Sequence, residues 1–510
     1  MNHWIILPIL LPAIIAPLLI LAVRNDIFLA RVFSIACTVA LVAFGIFQLV
    51  ASCDGKIRTY ALGNWNPPFG IVLVLDRLAA TMLLLTAVIG LVVILYSIHG
   101  WDKQGRHFHA LFQFQLMGLN GAFLTGDLFN LFVFYEVLLI ASYGLMVHGG
   151  GNARVRAGIQ YVVVNLVGSC LFLIAITLIY SVTGTLNMAD LFRKIGSTPA
   201  ASQAILNVGG VLLLVVFALK SAIFPLHLWL PGTYSNAPGP VAALFSIMTK
   251  VGVYSMLRVQ PLLFPSLELI VPAALITLFL GSVGILVARS FGQQASFAAL
   301  ASIGTLLVAV GGSSTENWSA AMYYLVHSTL SVASFFLIVD LLVANRPNVG
   351  DALIEGPNYA NRSIVGALYF VIAIALSGMP PLSGFIGKLL ILQGAQQQPN
   401  WGWVWSVILL SSLIGIIGLS KSGSLLFWKC GPKQADVESL ACTEVVSIAG
   451  SIEPTSTTSI AIPLVSIGAV LLLIISLSVF AGPICMFMDA TADQLRDRDQ
   501  YNIAVLDQRV

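Results

Sequence analysis

The sequence predicts an all-α polytopic membrane protein of about 14 transmembrane helices. Three observations predict it. Of 510 residues, 58% are hydrophobic and only 9% charged, against about 25% charged in a soluble domain. The apolar residues gather in segments of about 20, the length that crosses a hydrocarbon core. Two segments carry a proline break beside a lysine, in FALKSAIFPLHLWLPG at 217–232 and LSGMPPLSGFIGKLLIL at 376–392. Broken helices at membrane depth require protein or a water-lined cavity to satisfy the freed backbone.

The fourteen segments run 4–23, 28–50, 71–98, 108–125, 128–147, 155–181, 205–230, 238–258, 266–288, 293–311, 318–343, 364–394, 402–427 and 462–487. The first has no basic stretch before it and is long enough to span, so it reads as a helix and not as a cleaved signal. The fourth and fifth are parted only by Gly126–Asp127. The seventh is expected to break at Pro225 and stop at Pro231 and Gly232, and the eighth to start after Pro238 and Pro240. Basic residues set the orientation. The odd-numbered connections carry twelve, among them Arg24, Lys103, Arg154, Arg289 and Lys429, and the even-numbered five: Lys56, Arg58, Arg193, Lys194 and Arg258. The odd connections are therefore expected in the cytoplasm and both termini outside, although the tail 488–510 adds three arginines to the outer side. Gly184–Ser202 is expected to form a short surface helix, and 429–458 a cytoplasmic loop. Neither is a second domain; 1–510 reads as one transmembrane domain.

The six cysteines form no CxxC pair, which speaks against a zinc or iron–sulfur centre. No basic block suits nucleic acid. No nucleotide fingerprint or cofactor motif appears, so no enzyme chemistry is expected and energy must come from an ion gradient or a partner subunit.

The two proline breaks lie five segments apart. Paired broken spans point to repeated transporter halves, and an odd number of spans per unit gives the copies opposite topology. The expected units are segments 4–8 (108–258) and 9–13 (266–427). Prolines are also common in membrane helices for other reasons.

Five ionisable residues fall well inside segments: Glu136, Lys220, Lys250, His327 and Lys388. Each has a plain alternative. Glu136 suits a structural ion pair, a lysine can snorkel, and a lone histidine is commonly a hydrogen-bonded interior group. But a charge at mid-membrane costs about 2.5–3.5 kcal/mol on insertion scales and usually lines a pathway. Polar stripes at helical spacing accompany them: Ser246, Lys250 and Tyr254; Tyr323, His327, Ser331 and Ser334; Tyr161, Asn165 and Ser169. Such stripes suit water or ordinary interhelical hydrogen bonds alike. The chemistry suits protons, because lysine in a low-dielectric site and histidine near neutrality both exchange a proton readily.

PPFGIVLVLDRLAA at 67–80, GDLFNLFVFYEVLLIASYGLMV at 126–147, LKSAIFPLHLWLPGTYSNAPGPVAALFS at 219–246, TKVGVYSMLR at 249–258 and the 376–392 stretch resemble the D subunit of the multisubunit Mrp-type (Mnh/Pha) Na+(K+)/H+ antiporters. That family is related to the proton-pumping subunits of respiratory complex I and of membrane hydrogenases. The resemblance covers nearly the whole chain. It implies fourteen helices with two inverted five-helix repeats and broken helices 7 and 12. It implies that Glu136 pairs with Lys220, and that Lys250, His327 and Lys388 continue a proton axis; on the helical spacing given above, Ser246, Tyr254, Tyr323, Ser331 and Ser334 are the candidates for a water path. It implies exchange of protons for Na+ or K+ in a bacterial inner membrane, with no cofactor, alongside a large A subunit and small membrane subunits. The A subunit continues for several further spans, whereas this chain ends soon after the fourteenth. Family members often carry a second basic residue about a turn after the histidine; HSTLSVASFF at 327–336 has none. The alternative is a pumping subunit of a complex I-like or hydrogenase assembly.

Overall fold

The computed structural model describes residues 3–507 apart from 197, 264–268, 313, 347–348, 356–360, 400 and 430–460. Beyond Lys429, the loop expected at 429–458 lies outside the described residues. The helices are α1 Leu7–Leu21, α2 Ile27–Ser52, α3 Arg77–Ser97, α4 Phe108–Leu124, α5 Leu128–Met146, α6 Asn152–Thr183, α7 Met188–Ile195, α8 Ala200–Lys220, α9 Trp229–Asn236 and α10 Gly239–Leu263. They continue as α11 Ile270–Val287, α12 Phe291–Val310, α13 Thr315–Asn345, α14 Arg362–Ser377, α15 Ser383–Ala395, α16 Trp401–Phe427, α17 Ala461–Val479, α18 Ala481–Arg496 and α19 Arg498–Leu506. Eleven are long and apolar enough to cross a membrane. With α1, α4 and the broken pair α14–α15 they make the fourteen spans of a polytopic membrane protein.

Helix starts follow from capping chemistry. Asp26, Asp76, Asp127, Asn187, Ser290 and Ser314 each accept from backbone N–H groups of the first turn that follows. Such polar caps put the helix ends at the membrane surface, and Asp127 explains how α4 and α5 are separated by so short a link. The expected surface helix is α7.

Three details differ from expectation. Segment 71–98 opens with a strand: β2 Val72–Leu75 pairs antiparallel with β1 Arg58–Ala61. Its sequence VLVL is a short apolar run, and periodicity alone does not separate such a strand from a helix. Pro231 and Gly232 do not stop a helix but lie in the first turns of α9, where proline needs no N–H partner. The fourteenth segment divides into α17 and α18 at Phe480.

The connections sort onto two faces. On one, the β hairpin, α7 and the tail meet. Gln494 and Gln500 both donate to Gly55 O, at 2.8 and 3.0 Å, and Arg193 pairs with Asp507 at 3.4 Å. On the other, Arg31 pairs with Asp102 at 2.5 Å, His148 bonds Trp101 O at 2.8 Å and Arg154 donates to Asn236 O at 3.1 Å. Among the described residues, the second and sixth connections share the first face with the tail, and the start of α2 and the third, fifth and seventh connections share the second, as an alternating path requires.

The centre is α10 packed against α13 and α12, and residues 240–259 are all buried. Near the first face Arg258 forms a buried ion pair with Asp76 and donates to Tyr254 Oη at 2.8 Å.

Removing one member of a buried ion pair costs about 3–5 kcal/mol. Asp76→Ala should therefore lower the unfolding temperature of the purified chain well below that of an exposed control substitution; an unchanged transition would contradict the buried pair. In a chain stripped of native cysteines, Lys103→Cys and Lys194→Cys should label from opposite sides of intact cells, Lys194→Cys from outside. Labelling of both by an impermeant reagent would contradict the topology.

Candidate functional site

Lys220 is the last residue of α8. The helix closes because Ala222 takes a left-handed backbone, φ 55°. Ile223 N–H then reaches Ala218 O and Ala222 N–H reaches Leu219 O, both at 3.1 Å. This closing pattern ordinarily uses glycine. Protein satisfies the rest of the break: Trp229 Nε1 donates to Leu219 O at 3.1 Å and Phe224 N–H to Thr277 Oγ1 at 2.8 Å. Helix α14 ends in the same pattern. Gly378 has φ 76°, Met379 N–H reaches Ile374 O at 3.1 Å and Gly378 N–H reaches Ala375 O at 3.2 Å. Here a charge meets the freed carbonyls. Lys388, from α15, donates to Ser377 O at 2.8 Å and to Ser412 Oγ at 2.9 Å. A cation at a helix C-terminus also complements the helix dipole.

Glu136 and Lys220 face one cavity of about 10 Å³, lined also by Tyr135, Asn165 and Ser169. Their contacts run through α6. Lys220 Nζ donates to Asn165 Oδ1 at 2.8 Å and lies 5.7 Å from the Tyr135 ring centre, while Ser169 donates to Glu136. The two charges are within electrostatic range of each other, but no direct ion pair joins them among the described residues.

Lys250 lies in the middle of α10 with no exposed surface. Its Nζ has no hydrogen-bond partner, and neither has the hydroxyl of Ser246, one turn earlier on the same face. Gly252 sets the distance to the α8 break: a Cβ there would stand 2.4 Å from Ser221 Oγ and 2.8 Å from Phe217 O. Only glycine permits that approach.

His327, 1% exposed, lies within electrostatic range of both Lys250 and Lys388. Its Nδ1 shares a hydrogen bond of 2.8 Å with Ser383 Oγ, and Ser331 Oγ stands 3.4 Å from the ring nitrogens. Ser334 continues the stripe, donating to Ser331 O at 2.8 Å. Beyond, Lys388 borders a cavity of about 30 Å³ lined by the hydroxyls of Ser302, Thr305, Tyr324, Ser411 and Ser412. A water needs about 10–15 Å³. The Ser411 hydroxyl is buried there without a partner.

Two of the anticipated polar residues are engaged elsewhere. Tyr254 Oη donates to Phe123 O at 2.6 Å and belongs to the Asp76–Arg258 cluster. Tyr323 Oη donates to Leu477 O of α17 at 2.9 Å. Residues that sequence reasoning missed include Ser383, Ser411 and Ser412, which carry no signal beyond being serines in apolar helices. Asp340 was missed as well. It accepts from Tyr96 Oη and Trp101 Nε1, both at 2.9 Å, near the odd-numbered face. Among the described residues no group of His, Cys, Asp and Glu suits a metal ion.

Comparison with known proteins agrees with this architecture. Residues 125–415 match the family model described as NADH:quinone oxidoreductase/Mrp antiporter, TM. The chain is 38% identical to the D subunit of a probable K+/H+ antiporter from Rhizobium meliloti, with 97% of this chain and 96% of that protein covered. It is 39% identical to the D subunit of a Na+/H+ antiporter from Bacillus subtilis, with 84% and 87% covered. Its fold superposes on one component of the Mrp complex from Dietzia sp. with TM-score 0.85 and 26% identity, covering 99% of this chain and 100% of that one. One component of respiratory complex I from Thermus thermophilus shares the fold alone, with TM-score 0.77 and 22% identity over 96% and 99% of the two chains. The chain belongs to the NADH:quinone oxidoreductase/Mrp antiporter family of membrane subunits and, within it, is a homologue of the antiporter D subunits.

Proposed function

We propose that the chain is the proton-translocating subunit of a multisubunit monovalent cation/proton antiporter, passing protons along Glu136, Lys220, Lys250, His327 and Lys388 in exchange for Na+ or K+. The observation that carries the reading is that Lys220, Lys250 and His327 are buried and Glu136 and Lys388 half-buried, next to two broken spans that close in the same backbone pattern. A buried charge must change partner or protonation state to be tolerated. A row of such groups, each near the next, therefore suits stepwise proton movement. Lys250 is the clearest instance, its Nζ buried at mid-span without a hydrogen-bond partner.

In this reading residues 108–258 and 266–427 are the two repeated units. Glu136 and Lys220 form the coupling switch of the first, and Lys388 is the terminal relay of the second. Ser383, Ser331 and the hydroxyl cavity beside Lys388 stand in for the second basic residue that follows the histidine in relatives. The chain works beside a large A subunit and small membrane subunits in a bacterial inner membrane, with both termini outside. That its relatives are themselves named as single subunits of antiporters supports this assembly.

The test is cation-dependent proton exchange by vesicles containing the assembled complex, at equal subunit content and over a range of pH. Groups that transfer protons contribute roughly 10²–10⁴-fold to a rate. Glu136→Gln, which keeps the shape but removes the charge, should lower exchange by about a hundredfold or more on that scale, while Glu136→Asp retains part of it. Wild-type rate and pH profile in Glu136→Gln would make this carboxylate structural. Lys388→Ala should abolish exchange and Lys388→Arg should impair it too, because a guanidinium does not release its proton. Full activity in Lys388→Ala would remove it from the path.

A further inference from the structure

Between Glu136 and Lys220 stands a pair of side chains from a third helix. Asn165 and Ser169 are one turn apart on α6, so they share a face. Asn165 takes the lysine, Nζ to Oδ1 at 2.8 Å, and Ser169 takes the carboxylate. All four line the same small cavity. Asn165 is itself fixed, its Nδ2 donating to Tyr161 O at 2.7 Å one turn earlier. Its oxygen is therefore aimed at the ammonium. Tyr161 is braced in turn by Ser142 of α5 at 2.9 Å. The other groups facing Lys220 are the Tyr135 ring and α10 at Gly252, and neither offers it a charge.

We propose that Asn165 and Ser169 are positioning residues that hold Glu136 and Lys220 apart, and that α6 is the element whose displacement lets the two charges meet. The inference rests on reading those two charges as the switch. Each spacer satisfies one charge without neutralising it. The carboxylate and the ammonium are both stabilised by neutral dipoles, and the attraction between them remains available. Because both spacers sit on one helix face, a single shift or rotation of α6 withdraws them together. Helix α6 lies at the periphery, with Val163, Leu166 and Val167 exposed on its outer face, and its inner face packs on α8, whereas Lys220 also sits next to the buried α10.

The test reads contact and not transport. The full chain in lipid nanodiscs is treated with dicyclohexylcarbodiimide. The reagent activates the Glu136 carboxyl as an O-acylisourea. The Lys220 amine, if in contact, displaces the urea and forms an isopeptide that peptide mass mapping detects. The wild-type chain should give little of this product. Asn165→Ala should raise its yield several-fold, and Ser169→Ala should do so independently should the first variant fold poorly. Asn165→Gln keeps the amide acceptor and should return the yield towards wild type. Glu136→Gln must give none. Equal yields in the wild-type chain and both alanine variants would overturn the spacer. So would a raised yield in Asn165→Gln matching that in Asn165→Ala. Since the product reports contact alone, either of these results leaves the antiport reading standing, and that reading falls only in the vesicle assay.

Discussion

Hydrocarbon offers no hydrogen bonds, so a polar group at membrane depth in this chain must look for its partner in the protein or in a water-lined cavity. That constraint ties the ionisable residues to the backbone. Where α8 and α14 break, peptide groups are released from their helical partners. At the first break an indole and a threonine hydroxyl take them. At the second, the ammonium of Lys388 takes two carbonyls and is itself satisfied by them. At this second break the freed carbonyls and the charge satisfy each other.

Some polar groups remain unbonded all the same. Lys250 Nζ, Ser246 Oγ and Ser411 Oγ are buried without a partner near the ionisable residues, while the side-chain oxygens of Gln48, Gln113, Gln115 and Asn120 are so in α2 and α4. Elsewhere serines and threonines close onto a carbonyl of their own helix, as Thr38, Thr86, Ser97 and Thr183 do. A hydroxyl bonded to its own helix is structurally silent. One left open beside a charge can accept or donate as that charge changes.

Much of this was legible in the sequence, for identifiable reasons. The spans could be read because hydrocarbon thickness fixes their length. The five ionisable residues within spans could be read because each is a polar letter in an apolar run. What was not legible depends on which way a side chain turns. Tyr254 and Tyr323 share helical faces with Lys250 and His327, yet their hydroxyls reach Phe123 O and Leu477 O. A tyrosine places its polar tip far from its Cα, so spacing along a helix does not settle its partner. Asn165 and Ser169 were visible as a stripe, but only the fold shows that they stand between two charges. The hairpin was hidden because Val72–Leu75 is as apolar as the helix it precedes. Asp340 was hidden by lying near a helix end, where a carboxylate draws no attention.

The clasp on the even-numbered face has a consequence for how the chain is made. Gln494 and Gln500 bond Gly55, and Ala504 O accepts from Thr59, across more than four hundred residues of sequence. Contacts of such separation form only after everything between them has been synthesised. Gly55 O and its neighbours must therefore wait through the insertion of twelve further spans. They can wait because they lie at the membrane surface, where water serves as a provisional partner. The fold thus defers its longest-range bonds to the one place where delay carries no electrostatic penalty, and the order of biosynthesis is written into which contacts are placed outside the hydrocarbon.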